Sequence, residues 1–258
     1  MSAEFRALLD FAVDVAWRAG KVTLEYFQTQ LTIERKRDNS VVTVADRRTE
    51  QTIRESIRSR FPDHNIIGEE YGEEISGSDY NWIVDPIDGT QSFVHGVPLY
   101  GVLLGLEYRN EAILGVVNCP AVDEMVYAAR GEGSYWNGRR ARVSTTQNLG
   151  EALWCASGAE YFEMVGQSNA WARLKANTAR YRTWGDCYGY VLVATGRADV
   201  MVDPIMHVWD CAPLLPIMIE AGGRFTDWQG NATIRGGNAV ATNGILHESV
   251  LTELQPSK

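Results

Sequence analysis

The sequence predicts a mixed α and β fold built in layers, and three observations carry that expectation. Apolar residues recur at helical spacing at the N-terminus, a series of short strand-like runs fills the middle, and helices alternate with strands after about residue 150. The 258 residues are ample for one sizeable core, and no linker, repeat or low-complexity segment divides them. A single unit over 1–258 is therefore expected, with a soft division into 1–150 and 151–258.

The first helix rests on apolar residues at 5, 8, 9, 12, 15, 16, 19, 22 and 26, the three-and-four spacing of an amphipathic face. A polar loop, "RKRDNS", leads into a second helix over Ala45 to Arg60, with Ile53 and Ile57 on one face and Pro62 closing it. "NIIG" and then Trp82 to Val84 read as short buried strands. From Tyr100 the runs "YGVLLGLEY", "AILGVVNCP", "EMVYAARGEG" and "GSYWNGRRARVS" form an antiparallel meander, punctuated by turn signals such as Asn137-Gly138. Beyond it come a strand in "ALWCASG", a helix over Asn169 to Ala179, a helix from Asp186 to Thr195 closed by Gly196, and a strand in "ADVMV". A last helix follows Asp210, taken as its N-cap, and stops at Gly222-Gly223; Pro213 is tolerated in its first turn, whereas Pro216 is expected to kink it.

Composition excludes several classes. No apolar run approaches the roughly 18 residues that cross a bilayer, and "MSAEFRALLD" lacks the basic and apolar blocks of a secretory signal, so a cytoplasmic protein without membrane partners is expected. Thirty-three acidic against 24 basic residues give a net charge of −9, which argues against a nucleic-acid partner. Cys119, Cys155, Cys187 and Cys211 are far apart, which points to reduced structural thiols rather than a redox or zinc motif.

The chemistry concentrates in acids. "WIVDPIDGT" places Asp85 and Asp88 three residues apart around Pro86, directly after a buried strand, where like charges need a cation or donors to compensate them. Gly89 and Thr90 can open a helix whose first N–H groups face the same point, a combination suited to a hard cation together with a phosphate. Glu69 and Glu70 follow "NIIG" as Asp85 follows "WIV", and Asp210 follows "IMHVW". Plain helix capping by Asp88 or Asp210, and a solvated acidic run at Glu69–Glu74, are the bland readings. An all-oxygen set without Cys or clustered His selects Mg²⁺ or Mn²⁺ over zinc. His207 reads as a packing or orienting residue, and no nucleophilic triad is suggested.

"GEE" at 68–70, "WIVDPIDGTQSFVHGVP" and "HVWDCAPLLPIMIEAGG" together resemble the inositol monophosphatase family of Mg²⁺-dependent phosphatases, over nearly the whole chain from "VVTVAD" to "EAGG". The resemblance implies an α-β-α-β-α sandwich, a metal-binding first half, a substrate-binding second half, and a homodimer. It implies one Mg²⁺ held by Glu69, Asp85 and the carbonyl of Ile87, a second held by Asp85, Asp88 and Asp210, and a weaker third near Glu69. It further implies attack on phosphorus by a metal-activated water positioned by Glu69 or Glu70 and by Thr90, the latter paired with Asp46, with the N–H groups of Gly89 and Thr90 on the phosphate. The basic run Arg35-Lys36-Arg37 matches the family's mobile active-site loop, which places Lys36 near the third metal and the water, as a candidate substrate-binding residue.

The substrate is expected to be a small phosphate monoester. Asp186 and Asp203 stand where inositol-type members carry a small neutral residue and a glutamate, and "GDCYGY" is similar to the histidinol-phosphate phosphatases of the family. A second acidic cluster beside the leaving group favours a cationic alcohol, with Trp184 or Tyr188 as aromatic walls; the alternative for Asp186 is a helix cap. L-Histidinol phosphate, and so a step of histidine biosynthesis, is the expected substrate. Inositol 1-phosphate or a sugar phosphate is the alternative, and a non-catalytic regulatory binding protein a remote one.

Overall fold

The computed structural model describes residues 3–36 and 41–255. In chain order the first half contains α1 (Ala3–Tyr26), the ribbon strands β1 (Glu34–Arg35) and β2 (Val41–Val42), α2 (Val44–Arg60), β3 (Asn65–Gly68), β4 (Gly72–Glu74), β5 (Tyr80–Asp88) and α3 (Thr90–Val94). The meander follows as β6 (Gly101–Tyr108), β7 (Glu111–Cys119), β8 (Glu124–Ala129), β9 (Gly133–Trp136) and β10 (Arg139–Arg140). The second half contains β11 (Leu153–Cys155), α4 (Ala159–Met164), α5 (Ser168–Asn177), β12 (Arg180–Arg182), α6 (Asp186–Ala194), β13 (Val200–Asp203), α7 (Val208–Glu220), β14 (Arg224–Thr226), β15 (Ala239–Thr242) and α8 (His247–Leu254).

Two sheets organise these elements. The first has eight strands in the order β10-β9-β8-β7-β6-β5-β3-β4, antiparallel except where β3 runs parallel to β5. The second has five, β12-β11-β13-β15-β14, with β11 parallel to both its neighbours. On the outer face of the first sheet, Leu8, Ala12, Val15 and Ala19 of α1 and Ile53 and Ile57 of α2 pack on Trp82, Val84, Leu104 and Val116. Helices α6 and α7 fill the space between the sheets, touching Ile83, Leu103 and Val117 on one side and Met201, Phe225 and Ala241 on the other. The outer face of the second sheet is covered by Phe162, Leu174 and Val250 of α4, α5 and α8. The result is the α-β-α-β-α sandwich that the motifs imply. All four cysteines are buried and free, and no described helix is long and apolar enough to cross a membrane.

Three local readings are corrected. Helix α5 ends at Asn177, because residues from Arg180 are drawn into a parallel strand beside β11. Strand β5 does not stop at Val84 but runs through Pro86 to Asp88, since a bulge there needs no ladder donor from proline. Asp210 is not the cap of α7: His207 takes that place, and Asp210 sits three residues on and accepts its N–H at 2.7 Å. The helix then runs as one element across both Pro213 and Pro216.

The seating of α7 has a specific cause. Gly105 of β6 and Gly115 of β7 are direct cross-strand partners, and together they leave a saddle without side chains. A Cβ on Gly115 would lie 2.1 Å from the Pro213 carbonyl oxygen, and one on Gly105 would lie 2.8 Å from the Ala212 Cβ. Ala212 and Pro213, which fall in the second turn of α7 rather than the first, therefore rest directly on sheet backbone, which brings Asp210 down to the end of β5. Gly115→Ala is expected to destabilise the fold by about 3 kcal/mol through overpacking against backbone that cannot rotate away. Chemical denaturation measures this, with Gly150→Ala as the control, because there the nearest atom to an added Cβ is 3.8 Å away.

Candidate active site

Residues three apart on a regular strand point to opposite faces, so Asp85 and Asp88 should not meet. The register shows why they do. Asp85 pairs with Leu103 and Asp88 with Gly101, so three steps on β5 oppose two on β6. The extra residue is a bulge, which restores an even spacing and turns both carboxylates the same way. The Ile87 N–H donates to Asp85 Oδ1 at 3.0 Å, and the Ile87 carbonyl accepts the Thr90 hydroxyl at 3.0 Å.

Glu69 arrives from the next strand. Because β3 runs parallel to β5 with Gly68 opposite Val84, the residue after β3 falls beside Asp85, and the Glu69 N–H donates to the Val84 carbonyl at 3.2 Å. The turn at 69–71 is pinned from below by Glu50 of α2, whose carboxylate accepts the N–H groups of Glu70 at 2.7 Å and Tyr71 at 3.2 Å while receiving Arg54 Nε at 2.7 Å. Sequence reasoning missed Glu50 as a positioning residue. Its signal was available: Glu50 and Arg54 lie on the same buried face as Ile53 and Ile57, where charges are kept only when paired. Lys36 closes the group, donating to Glu69 at 2.8 Å and to Glu70 at 2.6 Å. Burial pulls the Lys36 ammonium down, but those bonds and the two charges outweigh it and its pKa is raised. Arg37, the third member of that basic run, lies outside the described residues.

One oxygen each from Asp85, Asp88 and Asp210 lie within 4.8 Å of one another. Burial first, then the charges of Glu69, Asp88 and Asp210, push Asp85 well above the carboxylate range. Burial and Asp210 push Asp88 up to about 7. Asp210 also rises to about 7, burial and Glu69 outweighing the His207 N–H that favours its charge. The cluster therefore has more negative charge than its surroundings can satisfy, and it offers only hard oxygen donors. Those residues fit a divalent cation of the Mg²⁺ or Mn²⁺ type. The His207 ring plays no part in this; it stacks on Trp209 at 4.9 Å.

The remaining expected residues fall into two groups. Gly89, at φ +83°, caps α3 in a conformation suited to glycine, and a Cβ there would lie 3.0 Å from Asp186 Oδ2 and 3.1 Å from the Leu99 carbonyl. Asp88 is therefore not the cap of α3; its carboxylate instead accepts the Cys187 N–H at the start of α6. Asp186 does not cap α6 either, since Gly185 does, and its carboxylate stands over the Gly89 turn, raised by burial and by Asp88. Asp203 is set back. It is 3% exposed, with one oxygen accepting the Ser157 N–H at 2.9 Å and the other the Tyr190 hydroxyl at 3.1 Å.

Asp46 and Thr90 are not hydrogen-bonded to each other: Thr90 donates to Ile87, while Asp46 Oδ2 accepts the N–H and hydroxyl of Thr43 at 2.7 Å to box the start of α2. The other Asp46 oxygen is buried without a hydrogen bond among the described residues, and burial raises this carboxyl to about 6. Tyr188, two residues from Asp186 on α6, points away, with its hydroxyl donating to Glu124 at 3.4 Å and its ring 5.8 Å from the Arg197 guanidinium. Trp184 is on the rim, 39% exposed. Tyr161 of α4 faces Asp186, whose charge helps raise the phenol; its position in "GAEYFEM" offered no signal.

The electrostatics predict an inverted stability. The folded pKa of Asp88, about 7, exceeds the ordinary value of 3.8, so in the metal-free protein its favourable contribution is complete below pH 4 and is lost as pH rises through 7. With divalent cations chelated, Asp88→Asn is expected to stabilise the protein by about 2 kcal/mol at pH 7.5 and by much less at pH 5. The same variant should lose the stabilisation that Mg²⁺ confers on the wild type. Thermal unfolding at both pH values, with chelator and with Mg²⁺, reads both effects; an equal shift at pH 5 and 7.5 would contradict the burial argument.

Comparison with known proteins shows the family. A match to the Inositol monophosphatase family spans residues 4–258. A histidinol-phosphatase of Chlorobaculum parvum is 42% identical over 248 residues, covering 95% of this chain and 96% of that protein. A histidinol-phosphatase of Mycobacterium tuberculosis is 38% identical over 252 residues, covering 95% and 97%. The crystal structure of the extragenic suppressor protein suhB from Bartonella henselae superposes with a TM-score of 0.92 at 27% identity, covering 98% of this chain and 100% of that one. With the acidic cluster at its centre, the chain belongs to the inositol monophosphatase family and is a metal-dependent phosphomonoesterase.

Proposed function

We propose that the chain hydrolyses a phosphate monoester of a cationic alcohol, with L-histidinol phosphate as its substrate and Mg²⁺ as its metal. One observation carries the choice of substrate. The Asp186 carboxylate stands beside Asp88 and Gly89, and no N–H or O–H among the described residues donates to it. A desolvated carboxylate in that position rewards an ammonium or imidazolium and penalises a neutral polyol or a second phosphate. The two relatives named histidinol-phosphatase support the same reading.

In this reading Glu69, Asp85, the Ile87 carbonyl, Asp88 and Asp210 would hold two Mg²⁺ ions, and a weaker third would fall near Glu69. Bound, they would supply Lewis acidity toward the phosphate and the attacking water. The N–H groups of Gly89 and Thr90, free of intrahelical acceptors in the first turn of α3, hold phosphate oxygens. Glu70, raised to about 7 by burial, is suited to take a proton from the water near neutral pH, and Lys36 holds its carboxylate in place. The bond broken is between phosphorus and the ester oxygen, giving the alcohol and inorganic phosphate. Thr90 and the open oxygen of Asp46 orient the water. Asp203 supports Asp186 rather than touching the substrate.

Phosphate release from L-histidinol phosphate, myo-inositol 1-phosphate and fructose 1,6-bisphosphate at equal concentrations, with Mg²⁺ and with chelator, tests this. Histidinol phosphate is expected to be preferred by at least tenfold in kcat/KM, with no turnover in chelator; one lost ionic hydrogen bond is worth about that factor. Equal or faster hydrolysis of inositol phosphate would remove the substrate assignment while leaving the phosphatase. The phosphatase chemistry itself is lost if Asp88→Asn releases phosphate at the wild-type rate.

A further inference from the structure

Asp186 is held in an uncommon conformation, with a φ of +52° in the left-handed region. A line of hydrogen bonds running back into the second sheet accounts for it. The Asp186 N–H donates to Ser157 Oγ at 3.1 Å. The Ser157 N–H donates to Asp203 Oδ1 at 2.9 Å, and the Tyr190 hydroxyl donates to Asp203 Oδ2 at 3.1 Å. Asp203 ends β13 and Tyr190 lies on α6, both fully packed, so the line starts from a rigid base. Gly185 completes the clamp, because a Cβ there would lie 2.4 Å from the Ser157 Cα and the two backbones touch. At the far end, Asp186 Oδ2 is set 3.0 Å from the point a Cβ on Gly89 would occupy.

We propose that Ser157 is a positioning residue for substrate choice: fixed by Asp203 and Tyr190, it holds Asp186 over the Gly89 turn, where that carboxylate selects esters whose alcohol carries a positive charge. The proposal rests on the reading of Asp186 as the partner of a cationic substrate. It divides the second acidic pair by task, with Asp186 meeting the ligand and Asp203 holding the residue that aims it. Ser157 contributes through its side-chain oxygen, which alone receives the Asp186 N–H; with alanine there, the segment keeps its packing but loses the acceptor that sets its angle.

The test compares Mg²⁺-loaded wild type, Ser157→Ala, Tyr190→Phe, Asp186→Asn and the Ser157→Ala/Asp186→Asn double variant on L-histidinol phosphate and on glycerol 2-phosphate, whose alcohol is neutral. Ser157→Ala is expected to lower the selectivity ratio for histidinol phosphate roughly tenfold, carried by a higher KM for that substrate rather than by kcat. Tyr190→Phe should move the ratio in the same direction by less, and it decides the matter if Ser157→Ala does not fold. The double variant should be no less selective than Asp186→Asn alone, since both changes act through one group. An equal loss on both substrates, or an unchanged ratio in Ser157→Ala while Asp186→Asn lowers it, would overturn the role of Ser157 alone. An unchanged ratio in Asp186→Asn would instead overturn the cationic-substrate reading beneath it.

Discussion

The contact of α7 with the paired glycines of β6 and β7 is the constraint on which the site depends. Helices ordinarily ride on side chains some distance above a sheet, and at that height Asp210 would be remote from the end of β5. With Gly105 and Gly115 beneath Ala212 and Pro213, the helix sinks to the backbone and its first turn reaches the carboxylates turned over by the bulge. Two deformations of regular structure, a saddle and a bulge, therefore bring three like charges together. Neither is cheap in isolation, and the charges repel once assembled. The packing of both sheets on α6 and α7 holds them in place.

Compensation is arranged unevenly around the cluster. Lys36 satisfies Glu69 and Glu70 directly, and Glu50 supports their turn from a buried ion pair with Arg54. Asp85, Asp88 and Asp210 accept the backbone N–H groups of Ile87, Cys187 and His207, and no cationic side chain among the described residues pairs with them. Asp186 receives no donor among the described residues. The deficit thus falls on two sides of Asp88, one facing Asp85 and Asp210 and one facing Asp186. In the proposed reading, a metal-bound phosphate ester with a cationic alcohol would supply positive charge to both.

Much of this was legible in the sequence, because the acids sit in contiguous strings at element ends: "GEE" after β3, "DPID" at the end of β5, and "WD" in the first turn of α7. The layer order followed from the resemblance those strings carry. What stayed hidden was set by tertiary contact. The alternation rule reads Asp85 and Asp88 as opposed, and only the register with β6 reveals the bulge. Gly105 and Gly115 look like interruptions of two strands until α7 is placed on them. Capping preference pointed at Asp88, Asp186 and Asp210, whereas the caps are Gly89, Gly185 and His207, so each acid is displaced from the position local propensity would assign it. Asp203 reads as a substrate residue because it stands where the family pattern carries a glutamate, but it is buried and its two oxygens already accept the Ser157 N–H and the Tyr190 hydroxyl, which sets it behind Asp186. The strands β14 and β15 and the helices α4 and α8 are short, and their place is settled by packing on the second sheet.

Anomalous diffraction from crystals grown with Mn²⁺ in place of Mg²⁺ tests the central claim most directly. In the proposed reading, Asp85, Asp88 and Asp210 would hold Mn²⁺, Glu69 and the Ile87 carbonyl would serve as further donors beside Asp85, and Lys36 would be released from Glu69. Ions found only away from Asp85, or a cluster that stays empty at millimolar Mn²⁺ while Lys36 keeps both glutamates, would contradict it.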